Sequence, residues 1–384
     1  MRAFTFGILG FLAGSSSAFA QTVPSKRASE VFRFGGPDAK APYDFSATPR
    51  LVVDSAGFIY ARIASDASVI VFRPDGQFVR SIGRKGAGPG EFQVASAHGL
   101  IGDTLWVTNW PTPRMSLFRK DGTHLATRLT PFDVGQQSST APIGISGWLA
   151  GGRAYVLLDA LILEAGARVP VLIGTRDMRG LDTVAMIPAS RGLSVAGVGS
   201  WAFAPMPSSP QVAISSMRSE FAIAEWDRAK PGTVTMSVVS GDGRERWRRE
   251  LQLAAEPVPS RVRDSLLALG LAKARPQLDA ARRRGTMLGA SNERLVEEGL
   301  DLPTHYPPVR SLVLGLDGTV WLERFGEGRT GQWLVLGRQG QSLFQVQLPA
   351  SLEVQQASAT DVWGTDRDEL DVSYLVRFSL APDA

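Results

Sequence analysis

Three histidines and no cysteine make a thin set of groups for covalent or metal chemistry. Without cysteine there are no thiol nucleophiles, disulfides or Cys-ligated metals. His98, His124 and His305 are 26 and 181 residues apart in turn, which is not the spacing that gathers metal ligands on one helix face or loop. His98 and His305 remain candidates for general acid–base work, provided each reaches a shared substrate within hydrogen-bond distance. The commoner chemistry is ionic: Arg50, Arg62, Asn109, Asp159, Glu225, Arg310, Glu323, Arg324 and Asp366 all fall at the ends of short apolar stretches. Guanidinium groups interspersed with carboxylates suit a polar or anionic ligand, because arginine forks onto oxyanions with charge-assisted hydrogen bonds. GRKGAGPGEF, residues 83–92, is rich enough in glycine to suggest a phosphate loop. It lacks the Lys-Ser/Thr ending and the following helix that such a loop needs, and it reads as a turn between strands.

The elements carrying these residues are short and β-rich. Leu51–Asp54, Phe58–Ile63, Ser68–Arg73 and Gln77–Ile82 are four strands dominated by Val, Ile, Phe and Tyr, each too short for a helix. Asp54-Ser55-Ala56-Gly57 and Arg73-Pro74-Asp75-Gly76 join them, with Asp and Gly supplying the Asx bonds and positive φ of tight hairpins. Tyr60, Phe72 and Asp75-Gly76 recur as Trp106, Phe118 and Asp121-Gly122, each 46 positions later. A four-stranded unit repeated at this period is the signature of a β-propeller blade.

Continued along the chain, the pattern predicts an all-β, six-bladed β-propeller over residues 30–384, with blades near 51–92, 97–142, 143–188, 211–254, 308–350 and 352–380. The last blade lacks an outer strand of its own. VFRF at Val31–Phe34 has the character of a blade end and would supply that strand near Tyr374–Leu380, closing the ring and removing an exposed edge. Between the fourth and fifth blades, 257–305 breaks the period with helical spacing. Ser260 is the expected N-cap for a helix burying Val262, Leu266 and Leu269; Pro276 would open a second helix and Ser291 cap a third. Up-and-down blades send 4–1 connectors and 2–3 loops to one face of the ring. The 83–92 loop, the Ser190–Pro210 connector and the helical insert are therefore expected there, above the ionic residues at the strand ends. His124 follows an Asp-Gly turn and belongs to the opposite face. Trp201, Phe203 and Met206 in the connector are expected to pack on the insert as a lid over the channel mouth.

The run FRPDGQFVRSIGRKGAGPGEF, preceded by DSAGFIY, resembles the NHL-type repeats of bacterial six-bladed propeller proteins. The resemblance implies the fold more than any activity, since members of that family include enzymes and binding modules. Similarity to gluconolactonase-like propellers would imply a divalent cation held by carboxylates such as Glu225, Glu323 and Asp366; no other cofactor is implied. Residues 1–20 have the Arg2 start, the Phe4–Ala13 apolar core and the Ala18-Phe19-Ala20 cleavage site of a secretory signal peptide, which predicts a periplasmic or secreted protein beginning at Gln21. Basic residues exceed acidic ones by only four, too few for the dense positive face of a nucleic-acid binder, and eight basic against five acidic residues concentrate that excess in Pro259–Gly299. No later segment is apolar enough to span a membrane. The expectation is an exported, monomeric binding module for a small polar or anionic molecule or a protein, with a hydrolase or lyase on the same face as the alternative.

Overall fold

Tight turns set the frame. Gly76 and Gly122 occupy equivalent positions at φ +86° and +92°, a left-handed region in which a Cβ would be strained. Each donates its N–H to the carbonyl three residues back, Arg73 and Arg119, at 2.9 Å. The structure is a computed structural model that describes residues 23–383 apart from 46, 64–66, 111, 113, 130–146, 150–152, 158–167, 175–179, 189–192, 196–198, 202–205, 207–210, 286–290, 301 and 328–329. The expected signal segment therefore lies outside the described residues.

The fold is mostly β. After β1 (Ser25–Gly35), a first sheet holds β2 (Arg50–Val53), β3 (Ile59–Ile63), β4 (Ser68–Phe72) and β5 (Phe78–Ile82) in sequence order. A second holds β6 (Val94–Ile101), β7 (Thr104–Trp110), β8 (Arg114–Arg119) and β9 (His124–Leu129). The third comprises β10 (Gly147–Trp148), β11 (Ala154–Leu157), β12 (Arg168–Gly174) and β13 (Leu181–Pro188). A two-stranded hairpin, β14 (Leu193–Val195) and β15 (Gly199–Trp201), follows within the Ser190–Pro210 connector. The fourth four-stranded sheet is β16 (Gln211–Ser215), β17 (Glu220–Trp226), β18 (Thr233–Ser240) and β19 (Glu245–Gln252). After helices α1 (Ser260–Arg283) and α2 (Asn292–Leu300) come β20 (Val309–Leu314), β21 (Val320–Arg324), β22 (Gln332–Leu336), β23 (Ser342–Gln347), β24 (Glu353–Ala357), β25 (Asp361–Arg367) and β26 (Ser373–Pro382). These last seven join β1 in one eight-stranded sheet of order β20-β21-β22-β23-β1-β26-β25-β24.

Register repeats with the sequence. Tyr60 pairs with Val71 across β3–β4, and Trp106 with Leu117 across β7–β8, preserving the 46-residue offset. β1 pairs antiparallel with β26, with Phe34 opposite Leu375 and Gly35 opposite Tyr374, the expected strand donation. The strand starts earlier than the sequence suggested, and its first residues, Ser25 and Lys26, also pair parallel with Gln345 and Val346 of β23.

The buried side chains lie between sheets. Val69 and Val71 meet Leu105 and Phe118 of the second sheet. Trp106 and Met115 meet Trp148 of the third, and Ile173 meets Phe221 of the fourth. Met236 meets Leu322 of the eight-stranded sheet. Within that sheet Trp321 and Phe344 pack with Val362 and Phe378. Trp363 and Leu375 then return to Leu51 and Phe72 of the first sheet. The inner strands follow the same succession, β24 lying beside β2, β2 beside β6, β6 beside β10, and β16 beside β20.

The insert is helical with different boundaries from those expected. Pro259, not Ser260, occupies the N-cap position, and no side chain caps the end. Pro276 opens no second helix: α1 runs continuously through it. Ala274 and Leu278, either side of the proline, are both fully buried, so packing holds the segment helical despite the missing N–H. The buried stripe is Gly270, Ala274, Leu278 and Ala281, and Leu269 is 54% exposed. Ser291 does cap α2, its Oγ accepting the Arg294 N–H at 3.2 Å.

Candidate functional site

The ionic residues sit where first strands begin or second strands end, and most are engaged with one another. Arg50, the first residue of β2, forms an ion pair with Glu353, the first residue of β24, and both are about half exposed. Arg310 on β20 gives Nη1 to Glu323 Oε1 at 3.2 Å. Glu323 is buried and also accepts the Gly331 N–H at 3.1 Å. Burial pushes its carboxyl up from the ordinary range, against the Gly331 and Arg310 hydrogen bonds. Asp366 is buried at the end of β25, where Arg33 Nη2 from β1 reaches its Oδ2 at 2.6 Å and the Arg367 N–H its Oδ1 at 2.9 Å. Arg324 ends β21 opposite Val309. Glu225 is drawn away from the inner strands: it pairs with Arg168 at 3.1 Å and Arg248 at 3.9 Å, in a groove of about 510 Å³ between the third and fourth sheets.

Arg62 and Asn109 are less well served. Arg62 stands directly opposite Arg50 in the β2–β3 pair. Its Nη1 donates to the Ala95 carbonyl at 2.6 Å, while its Nε is buried without a partner. Burial first, and Arg50 second, disfavour its charge. Asn109 is 5% exposed; its Oδ1 accepts the Gln93 N–H at 2.7 Å, and its Nδ2 has no partner.

His98 Nε2 lies 2.9 Å from the Tyr60 carbonyl. A carbonyl only accepts, so Nε2 carries the proton and Nδ1 holds the lone pair. The residue is half-buried, and the protein enclosing its ring pushes the pKa down to about 4, with the Tyr60 hydrogen bond opposing the effect and Arg62 adding to it. His305 is at the neck of the insert, bridged through its backbone to Pro257 and with Nδ1 3.1 Å from Thr304 Oγ1. The two histidines share no hydrogen-bond partner among the described residues. His124, on β9, hydrogen-bonds Thr127 at 2.9 Å. Among the described residues no three His, Asp or Glu stand close enough together to hold a metal ion.

The 83–92 loop is a turn device whose glycines enclose the chain's own carboxylate. Glu91 accepts the Gly88 N–H at 2.9 Å and pairs with Arg84 at 2.8 Å, which holds its carboxyl below the usual range. The loop does not stay on one face. Ala87 meets Arg114 of β8 at one end, and a Cβ on Gly90 would come within 3.1 Å of the His124 ring at the other. It therefore runs down the junction of the first and second sheets.

The insert and the connector do meet. Val195 of β14 is buried with Ala274 and Leu278 of α1 and Val296 and Leu300 of α2. Met206 is buried as well. Trp201 is described by its backbone, opposite Leu193 in the hairpin; Phe203 and Asp159 lie outside the described residues. Two arginines escaped the sequence reading. Arg33 was hidden because β1 is far in sequence from the blade it completes. Arg114 begins a third strand, away from the first- and second-strand ends where the other candidates lie; the sequence signal for that start is Pro111-Thr112-Pro113 before it.

No protein-family model matches the chain, and no curated protein matches it. Solved structures align along most of its length at low identity. A DUF4221-family member from Bacteroides vulgatus is 9% identical, with 94% of this chain and 100% of that one covered at a TM-score of 0.48. A Bacteroides fragilis protein described as exported is 11% identical over 94% and 100% of the two chains, at 0.45. A Xanthomonas campestris gluconolactonase is 10% identical over 89% and 98%, at 0.37. At these scores the likeness says nothing of activity.

Proposed function

We propose that the chain is an exported six-bladed β-propeller that binds a small polar or anionic molecule on the face carrying its helical insert. The six-blade reading takes the eight-stranded sheet as two blades, β20–β23 and β24–β26 with β1, joined only where β1 begins. It is supported by the succession of buried clusters from sheet to sheet and back to the first. NHL-type repeats then describe the motifs of the best-preserved blades.

One observation carries the binding reading. Two connectors nearly 60 residues apart, 193–201 and 260–300, each lead into a first strand, and they pack together in a buried cluster of their own. Long connectors gathered at one end of a rigid scaffold are where ligand sites are placed. The charged pairs Arg50–Glu353 and Arg310–Glu323 lie at strand ends of the kind that up-and-down blades turn toward such connectors, which supports the reading. The test is a melting-temperature screen of anionic against neutral small molecules of matched size, repeated on Arg50→Gln and Arg310→Gln. Anionic compounds should stabilise the parent and lose most of that effect in the variants. Equal stabilisation by neutral compounds, or variants as responsive as the parent, would overturn the reading. Export is tested by expressing the full chain in a Gram-negative host: mass spectrometry of the periplasmic fraction should find a mature N-terminus at Gln21. An uncleaved cytoplasmic product would count against it. Among the described residues no helix is long and apolar enough to cross a membrane.

A further inference from the structure

Six buried side-chain nitrogens lack a hydrogen-bond partner among the described residues, and three are tryptophan ring nitrogens. The other three, Arg62 Nε, Asn109 Nδ2 and Arg114 Nε, are neighbours. Arg62 reaches the carbonyl of Ala95, Ala95 pairs with Asn109 across β6–β7, and Asn109 pairs with Arg114 across β7–β8. Strand alternation sends all three side chains into one seam. Tyr60, two residues before Arg62, Val107, two before Asn109, and Phe118, four after Arg114, all belong to the buried cluster between the first and second sheets. At the end of that cluster where β6 and β8 begin, apolar residues give way to these donors.

An unmet buried donor loses its hydration without return, so three in one seam is a poor arrangement for the protein alone. Neither arginine forms an ion pair among the described residues; each gives only one Nη1 hydrogen bond to a carbonyl, Ala95 or Ala87. A water has two lone pairs and no charge, whereas a carboxylate or phosphate brings at least four lone pairs and the opposite charge. Asn109 is nine-tenths buried, while both arginines keep part of their surface in solvent and so leave a way in.

We infer that this seam is an oxyanion seat, in which Arg62 and Arg114 supply the charge and Asn109 Nδ2 a neutral donor for a carboxylate or phosphate group of a small ligand. The inference rests on reading the insert-bearing face as the binding face, and it names the part of that face that fixes the ligand's acidic group. Titration calorimetry and melting of residues 21–384 with inorganic phosphate and with acetate, at constant ionic strength in chloride, test it. One of the two anions should bind saturably and raise the melting temperature, and which one does tells phosphate from carboxylate. Arg62→Gln and Arg114→Gln should each weaken that binding at least tenfold. Asn109→Asp places a carboxylate in the seat, and should abolish the response to added anion while melting no lower than the parent. This variant keeps the inference testable should either arginine variant fold poorly. No saturable response to either anion in the parent, or an undiminished response in Asn109→Asp, would overturn the seat. Arg50→Gln and Arg310→Gln separate the two readings: anion binding kept in these but lost in Asn109→Asp supports the seat even if the wider mouth has no role.

Discussion

His98 is neutral in the folded protein because enclosure pushes its pKa down to about 4, below the ordinary histidine value. The unfolded chain takes up a proton near pH 6.5, so it binds more protons than the folded chain between about 6.5 and 4. Stability is then present above pH 6.5 and lost as pH falls through that window, by up to about 1.4 kcal/mol per pH unit. His98→Asn should flatten this part of the stability curve, and the His98 ring should titrate with a midpoint near 4 by NMR; a midpoint near 6.5 would contradict the enclosure. Glu323 makes a complementary case. Its carboxylate accepts both the Gly331 N–H and Arg310, so Glu323→Ala strands two donors and should cost about 2 kcal/mol or more in denaturant unfolding. Glu323→Gln keeps an acceptor at the same point and removes a charge that burial disfavours, so its cost should be well under half as large. Equal losses in the two variants would show that packing, not hydrogen bonding, is what Glu323 supplies.

At the scale of elements, β1 bears the most weight for its length. Phe34 packs against Phe72 with tilted rings 4.9 Å between centres, and Arg33 closes on the buried Asp366. Removing residues 21–36 strips a ladder from β26, uncovers its edge and takes from Asp366 its arginine partner. The truncated protein should lose at least about 4 kcal/mol of stability or aggregate, and Phe34→Ala alone should cost about 2 kcal/mol. Melting unchanged by the truncation would refute the closure. This strand was legible in the sequence because VFRF ends in the same Gly-rich, Phe-terminated pattern as the first repeat, and because the last repeat is one strand short. Its first six residues were not, since SKRASE has no apolar alternation, and its side-chain contacts, Lys26 with the Ala359 carbonyl and the Phe344 ring, are to residues more than 300 positions away. The helices were legible as helices, but their faces were not. Periodicity admitted a Val262–Leu266–Leu269 stripe as readily as the Gly270–Ala274–Leu278–Ala281 stripe that the structure buries, and only the position of α2 and β14 decides between them. Pro276 has the local signature of a helix start, and only the packing on both sides of it keeps α1 continuous. The candidate site divides in the same way: Arg62 and Asn109 stood out at strand ends, whereas Arg114 and the fact that the three share a seam depend on cross-strand register.

Taken whole, the molecule has two kinds of core. The clusters between sheets succeed one another from the first sheet back to the first, while Val195, Ala274, Leu278, Val296 and Leu300, all on the helices or the β14–β15 hairpin, form a separate one. A small satellite cluster opens at lower free energy than the core it rests on, because it breaks fewer buried contacts in doing so. Native-state hydrogen exchange should therefore show the amides of 260–283, 292–300 and 193–201 losing protection together, ahead of β3, β7 and β21. Leu278→Asp places a charge in the fully buried centre of the satellite, and it should abolish protection in those three segments at once. The melting of the strands should shift little, since the inter-sheet clusters share no buried residue with the cluster of Leu278. Loss of strand protection in Leu278→Asp equal to that of the helices would mean that insert and sheets unfold as one unit, and that the helix pair cannot open independently of them.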